Sequence, residues 1–102
     1  MLNQVMLLGR ITNIKIQETE ENTKYIVVRL SIPRSFKNSD GLYDNDYVNV
    51  KFTGQIAEQC IHYIEKGDLI AIKGRLSTTK DDSLEIVAEK VSFLSSKESE
   101  VK

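Results

Sequence analysis

The stretch DYVNVKFTGQIAEQCIHYIEKGD, residues 46–68, changes its period halfway along. Asp46–Thr53 alternates, with Val48, Val50 and Phe52 on one face and Tyr47, Asn49, Lys51 and Thr53 on the other. A period of two marks a half-buried strand. From Gln55 to Lys66 the spacing becomes helical: Ala57, Cys60, Ile61 and Ile64 fall at i, i+3, i+4 and i+7. Gly67 sits where a helix-ending glycine belongs. A strand that hands the chain directly to a helix sets the frame for everything on either side.

Upstream, Asn3–Ile16 reads as a long strand, and Gly9 within it predicts a bend or bulge. Val5 and Leu7 point one way and Met6 and Leu8 the other, so both faces are apolar. One face can enter a core. The other calls for a second surface, which in so small a domain is best met by another copy. Gln17–Lys24 is a polar connection with an acidic run, Glu18, Glu20 and Glu21. Tyr25–Pro33 alternates Ile26, Val28, Leu30 and Ile32 against Tyr25, Val27, Arg29 and Ser31, and Pro33 should end regular pairing. Arg34–Asn45 is turn-rich, with Asp40-Gly41 at its tip, and predicts a long projecting loop. Downstream come a strand over Leu69–Thr79, a turn at Asp81-Asp82, and a last strand over Leu84–Leu94. Three strands, a helix and two strands is the order of an all-β, five-stranded Greek-key OB-fold barrel with one α-helix between strands 3 and 4, an order that other small α+β folds share. The barrel is expected over residues 1–94, with a short polar tail over 95–102.

A chain of 102 residues fits one domain of marginal stability. Lys+Arg (14) and Asp+Glu (15) nearly cancel, so a polyanionic partner would have to be met by local segregation of charge. The single cysteine, Cys60, excludes an internal disulfide and fits a reducing compartment. No apolar run approaches the ~20 residues that span a bilayer, and the N-terminus has no basic leader region. A cytoplasmic location with no membrane partner is expected. Cys60 and His62 are two apart on the helix and point to different sides, which argues against a nucleophile–base pair. The five glycines are scattered and form no phosphate loop. No enzyme activity, small-molecule substrate, metal or cofactor is expected.

Single-stranded nucleic acid is held by cations that track phosphates and by rings that stack on bases. The third strand offers both on its outward face in Tyr47, Asn49 and Lys51, and the adjoining loop adds Arg34, Phe36, Lys37 and Tyr43. Arg10, Lys73 and Arg75 lie on strands placed to flank the same face. Tyr and Lys on a strand surface also serve β-propensity and solubility, and Asp40, Asp44 and Asp46 would repel phosphate.

Five segments, MLNQVMLLGRIT (1–12), DYVNV (46–50), AEQCIHYIEKGD (57–68), KGRL (73–76) and VSFL (91–94), resemble the bacterial and phage single-stranded DNA-binding protein family in order and spacing. The resemblance runs over roughly residues 1–96. It implies an OB fold, usually a homotetramer, that wraps single-stranded DNA in replication, recombination and repair. It also implies base stacking at Phe36 and Tyr47. Two further family positions, usually aromatic, are Thr53 and a site near Asp81 here, so their stacking role does not carry over. Family members typically continue into a linker and an acidic tip ending in Phe, which recruits other enzymes. This sequence ends at Glu98-Ser99-Glu100-Val101-Lys102 with neither. A truncation, a phage- or mobile-element-encoded version, and a primosomal accessory acting mainly through protein contacts are all compatible with that.

Overall fold

The computed structural model describes residues 1–19, 21 and 23–95. Strands β1 (Val5–Glu18), β2 (Lys24–Lys37) and β3 (Tyr43–Phe52) are followed by helix α1 (Gly54–Cys60), then β4 (Leu69–Thr78) and β5 (Leu84–Ser95). They close into a barrel in the order β1-β2-β3-β5-β4, with β4 returning to β1. All pairings are antiparallel except β3 with β5, which are parallel at Val50↔Ile86 and Lys51↔Val87. A parallel pair cannot be joined by a tight hairpin and needs a longer crossover. Here α1 and β4 make up that crossover. The architecture is the five-stranded barrel with one helix that the strand order predicts.

The core forms from one face of each strand. Ile11, Ile26, Val28, Leu30, Val50, Phe52, Ile70, Ile72 and Ala88 are buried, and so are Ala57 on α1 and Ile64 in the turn that follows it. The alternation anticipated for β2 and β3 is the one observed, down to half-buried Ile32 and Val48 at the margin. β1 serves two partners. Val5–Arg10 pairs with β4, and Arg10–Glu18 pairs with β2. The change of partner needs a bend, and the register shifts between Ile11 and Asn13. The bend therefore falls beyond Gly9, which pairs regularly with Ile70. Gly9 answers a close approach instead: a Cβ there would lie 2.8 Å from the Ser31 carbonyl oxygen and from Ile32.

Two expectations about local structure are corrected. The helix stops at Cys60 and not near Lys66, and Gly67 does not cap it. The Tyr63 and Ile64 N–H groups donate to the Cys60 carbonyl in a closing turn, and the segment beyond it is taken up by tertiary pairing. The Gly67 N–H donates to the Ile11 carbonyl at 2.7 Å, and the Ile11 N–H donates to the Asp68 carbonyl at 2.9 Å. These bonds extend the β1–β4 ladder and draw the chain away from the helix axis, while Cys60, Ile61 and Ile64 still pack on the core. The loop is also shorter than Arg34–Asn45. Regular pairing does end at Pro33↔Asn45, but after a register shift it resumes at Lys37↔Tyr43. Only Asn38–Leu42 turns, held by the Asn38 side-chain oxygen, which accepts the N–H groups of Asp40 and Leu42. Beyond Ser95 the expected tail lies outside the described residues, as does Glu20 of the acidic run. Among the described residues no helix is long and apolar enough to cross a membrane.

Candidate nucleic-acid interface

Directly opposed residues of antiparallel strands point to the same side of a sheet. The outward residues of β1, β2 and β3 therefore form a grid. Its rungs are Arg10–Ser31–Tyr47, Asn13–Arg29–Asn49, Lys15–Val27–Lys51 and Gln17–Tyr25. Two shallow grooves run over it. Asn13, Lys15, Arg29, Tyr47 and Asn49 help line one, and Tyr25, Val27, Lys51 and Glu85 help line the other.

Cations and rings are already paired on this surface. The Arg29 guanidinium carbon lies 4.4 Å from the Tyr47 ring centroid, and the Lys51 ammonium lies 4.6 Å from that of Tyr25. On the hairpin arm the Lys37 ammonium is 5.9 Å from the Tyr43 ring. Distances up to about 6 Å are cation–π contacts. Such a contact positions the ring and leaves the cation's N–H donors available to an oxyanion. Lys15, Arg29 and Lys51 make no ion pair among the described residues.

The sequence-predicted residues divide into groups. Tyr47, Asn49 and Lys51 lie together on the grid, and Tyr47 is 54% exposed. Phe36, 64% exposed, projects from the arm beyond the barrel. The register shift between Pro33 and Lys37 separates it from the ladder that carries Tyr47. Arg34 is tied to Asp46, its Nε and Nη2 donating to one carboxylate oxygen at 3.1 and 2.9 Å. That hydrogen bond and the Asp46 charge raise the Arg34 pKa above its ordinary value. Arg10 points outward but donates to the Gly67 carbonyl at 2.9 Å. Lys73 and Arg75 are not brought to the grid. β4 pairs with the N-terminal half of β1 and with β5, which sets Lys73 opposite Met6 and Arg75 beside Glu89 at 3.5 Å.

Arg29, Tyr25, Lys15 and Asn13 are among the members of the grid that the sequence alone does not assign, with Gln17, Val27 and Ser31. The period-two pattern puts Arg29 and Tyr25 on the outward face of their strand. Only the register reveals that this face continues the Tyr47 row. Cys60 is half-buried against the core, and burial pushes its thiol pKa up. His62 is exposed, and no group of three or more metal-ligating side chains occurs among the described residues.

Residues 2–94 match the model of the Single-strand binding protein family. The chain is 34% identical over 106 residues to "Single-stranded DNA-binding protein B" of Bacillus subtilis (strain 168), covering 95% of this chain and 94% of that one. Among solved structures, a deletion variant of the single-stranded DNA binding protein from Thermus aquaticus superposes with a TM-score of 0.73 at 27% identity. That match covers 92% of this chain and 51% of the Thermus chain, so this chain spans about half its length. The priB protein of Ralstonia solanacearum superposes at 0.71 with 14% identity, a likeness of fold alone; the match covers 92% of this chain and 100% of that one. With a family match over nearly the whole barrel and a relative matched over nearly its full length, the chain belongs to the single-strand binding protein family.

Proposed function

We propose that this protein binds single-stranded DNA without sequence preference, in replication, recombination or repair, and does no chemistry on the strand. The observation that carries the reading is the grid itself: three cations without an ion pair among the described residues, interleaved with rings, on one continuous face of β1, β2 and β3. Lys15, Arg29 and Lys51 meet phosphates, Tyr47 stacks on a base, Asn49 hydrogen-bonds a base edge, and the arm adds Phe36, Lys37 and Tyr43. The names of the Bacillus and Thermus relatives give the same ligand. A role through protein contacts alone, as a primosome or replisome accessory, would leave these cations without an anion to meet. The same reading places the protein beside the nucleoid in the cytoplasm.

Assembly into a homo-oligomer, a tetramer by family resemblance or a dimer as the alternative, is part of this proposal. Met6 is 75% exposed and Leu8 51%, on the outward face of β1. With Ala71, and bordered by the opposed Lys73 and Lys90, they line a mostly apolar groove away from the grid, which a second copy would cover.

The direct test is a titration with oligo-dT. Three of the four tyrosines (Tyr25, Tyr43 and Tyr47) lie on the β2–β3 hairpin. Tyrosine fluorescence is expected to fall on binding and to recover as salt rises. The double substitution Phe36→Ala, Tyr47→Ala should weaken binding at least about tenfold, since each stacked base is worth about 1–3 kcal/mol. Equal binding by parent and double variant would refute the stacking assignment.

A further inference from the structure

We infer that Tyr25 is a second base-stacking ring with Lys15 as its phosphate contact, so that a bound strand crosses from β3 over β2 to β1 near the α1 end of the grid. The inference rests on the reading above, that this face takes single-stranded DNA, and it adds a subsite and a direction.

Tyr25 closes the grid at the end opposite Tyr47. Its ring lines a groove with Val27, Asn49 and Lys51 and is covered from one side by the Lys51 ammonium at 4.6 Å. Tyr25 and Arg29 are four residues apart on one strand face, about 13 Å at ~3.3 Å per residue. Since Arg29 lies over Tyr47, the two rings are separate anchors along one path and not a single cluster. Charge decides the way out. On the β5 side Glu85 borders the Tyr25 groove and repels phosphate. On the β1 side Lys15 stands across Val27 from Lys51, so a backbone passing over Val27 has an ammonium on either flank. Exposed Lys15 has no ion-pair partner among the described residues. Half-buried Val27 between the two supplies an apolar floor for a sugar or base.

The sequence contains no tryptophan, so Tyr25→Trp creates a single site-specific reporter. Its fluorescence should be quenched when oligo-dT binds. A Tyr63→Trp variant, whose exposed residue follows α1 away from the grid, should bind equally well without quenching. Tyr25→Ala should lower affinity about tenfold and Tyr25→Phe should restore it, because stacking needs the ring and not the hydroxyl. Lys15→Gln should flatten the logarithmic salt dependence by about 0.7, one phosphate's share for a single strand. Binding of labelled oligo-dT that leaves the Tyr25→Trp fluorescence unquenched, or full affinity in Tyr25→Ala, overturns the inference while the general reading stands. If Tyr25→Trp does not fold, the Ala and Phe pair decides alone. Failure of the parent protein to bind oligo-dT would sink the general reading itself.

Discussion

Arg34 shows how an acidic neighbour sets the strength of a binding face. Asp46 occupies its guanidinium through two hydrogen bonds to one oxygen, the position a phosphate oxygen would otherwise take. Both side chains are about half exposed, so the pair adds little to stability. Its larger effect is competition with the ligand. Asp46→Asn should therefore tighten oligo-dT binding several-fold at low salt and steepen the salt dependence by about 0.7, one added phosphate contact. Titrations of parent and variant at several salt concentrations measure both. The sequence shows that Asp46 is close to the basic residues, but it does not show which cation Asp46 neutralises. That depends on the Ile32↔Asp46 register. The same holds at the far end of the grid. Thr53 cannot stack; it follows Phe52, the last residue of β3, whose ladder partner Ile26 directly follows Tyr25. The aromatic is present on the adjacent strand, where strand alternation alone does not identify it as a partner of the Tyr47 row.

Among the elements, β4 and β5 approach closely at Gly74. A Cβ on Gly74 would fall 2.3 Å from the Val87 carbonyl oxygen, at the place where the β4–β5 register shifts. Backbone cannot yield as a side-chain end can. Gly74→Ala should cost about 3 kcal/mol, the upper range for overpacking, measured by urea unfolding. Gly41 is the contrast: nothing lies within 4 Å, and only its φ of +79° opposes a side chain. Gly41→Ala should therefore cost about 1 kcal/mol. The β4–β5 turn has an electrostatic device of its own. The Thr79 hydroxyl and then Ser83 hydrogen-bond the Asp81 carboxylate and hold its pKa below the usual value. A lowered carboxylate pKa stabilises the turn above the unfolded-state pKa, and the effect is lost as pH falls through the folded value. Thr79→Val should move the Asp81 titration upward, as followed by NMR. The strands are legible in the sequence because one residue in two has to enter the core. Helical spacing overextends the helix because its four apolar positions do contact the core, while the backbone at Gly67 and Asp68 follows the β1 ladder and not the helix axis. The arm is longer than its turn residues suggest because Pro33 ends one register without preventing a second.

At the scale of the molecule, the barrel places two different outward faces on the two halves of β1. Its N-terminal half presents Met6 and Leu8 beside β4, and its C-terminal half presents Lys15 and Gln17 beside β2. The register shift between Ile11 and Asn13 lies at the boundary between them. In the proposed reading, assembly and DNA binding thus occupy one strand without sharing a surface. Met6→Glu with Leu8→Glu should lower the mass seen by sedimentation to that of a monomer while the circular dichroism of the barrel persists. A parent protein that already sediments as a stable monomer at micromolar concentration would refute the assembly proposal. The two-faced character of β1 is readable from its apolar run. The placement of Lys73 and Arg75 is not, because it depends on which strands close the barrel. The central claim is that DNA lies on the β1–β2–β3 grid, and the most direct measurement is the salt dependence of oligo-dT affinity. The triple substitution Lys15→Gln, Arg29→Gln, Lys51→Gln should reduce the logarithmic slope by about 2, three phosphates' worth. Lys73→Gln with Lys90→Gln, on the β4–β5 side, should leave the slope unchanged. An unchanged slope in the triple variant, or a loss confined to the Lys73 and Lys90 pair, would place the strand elsewhere and contradict the account.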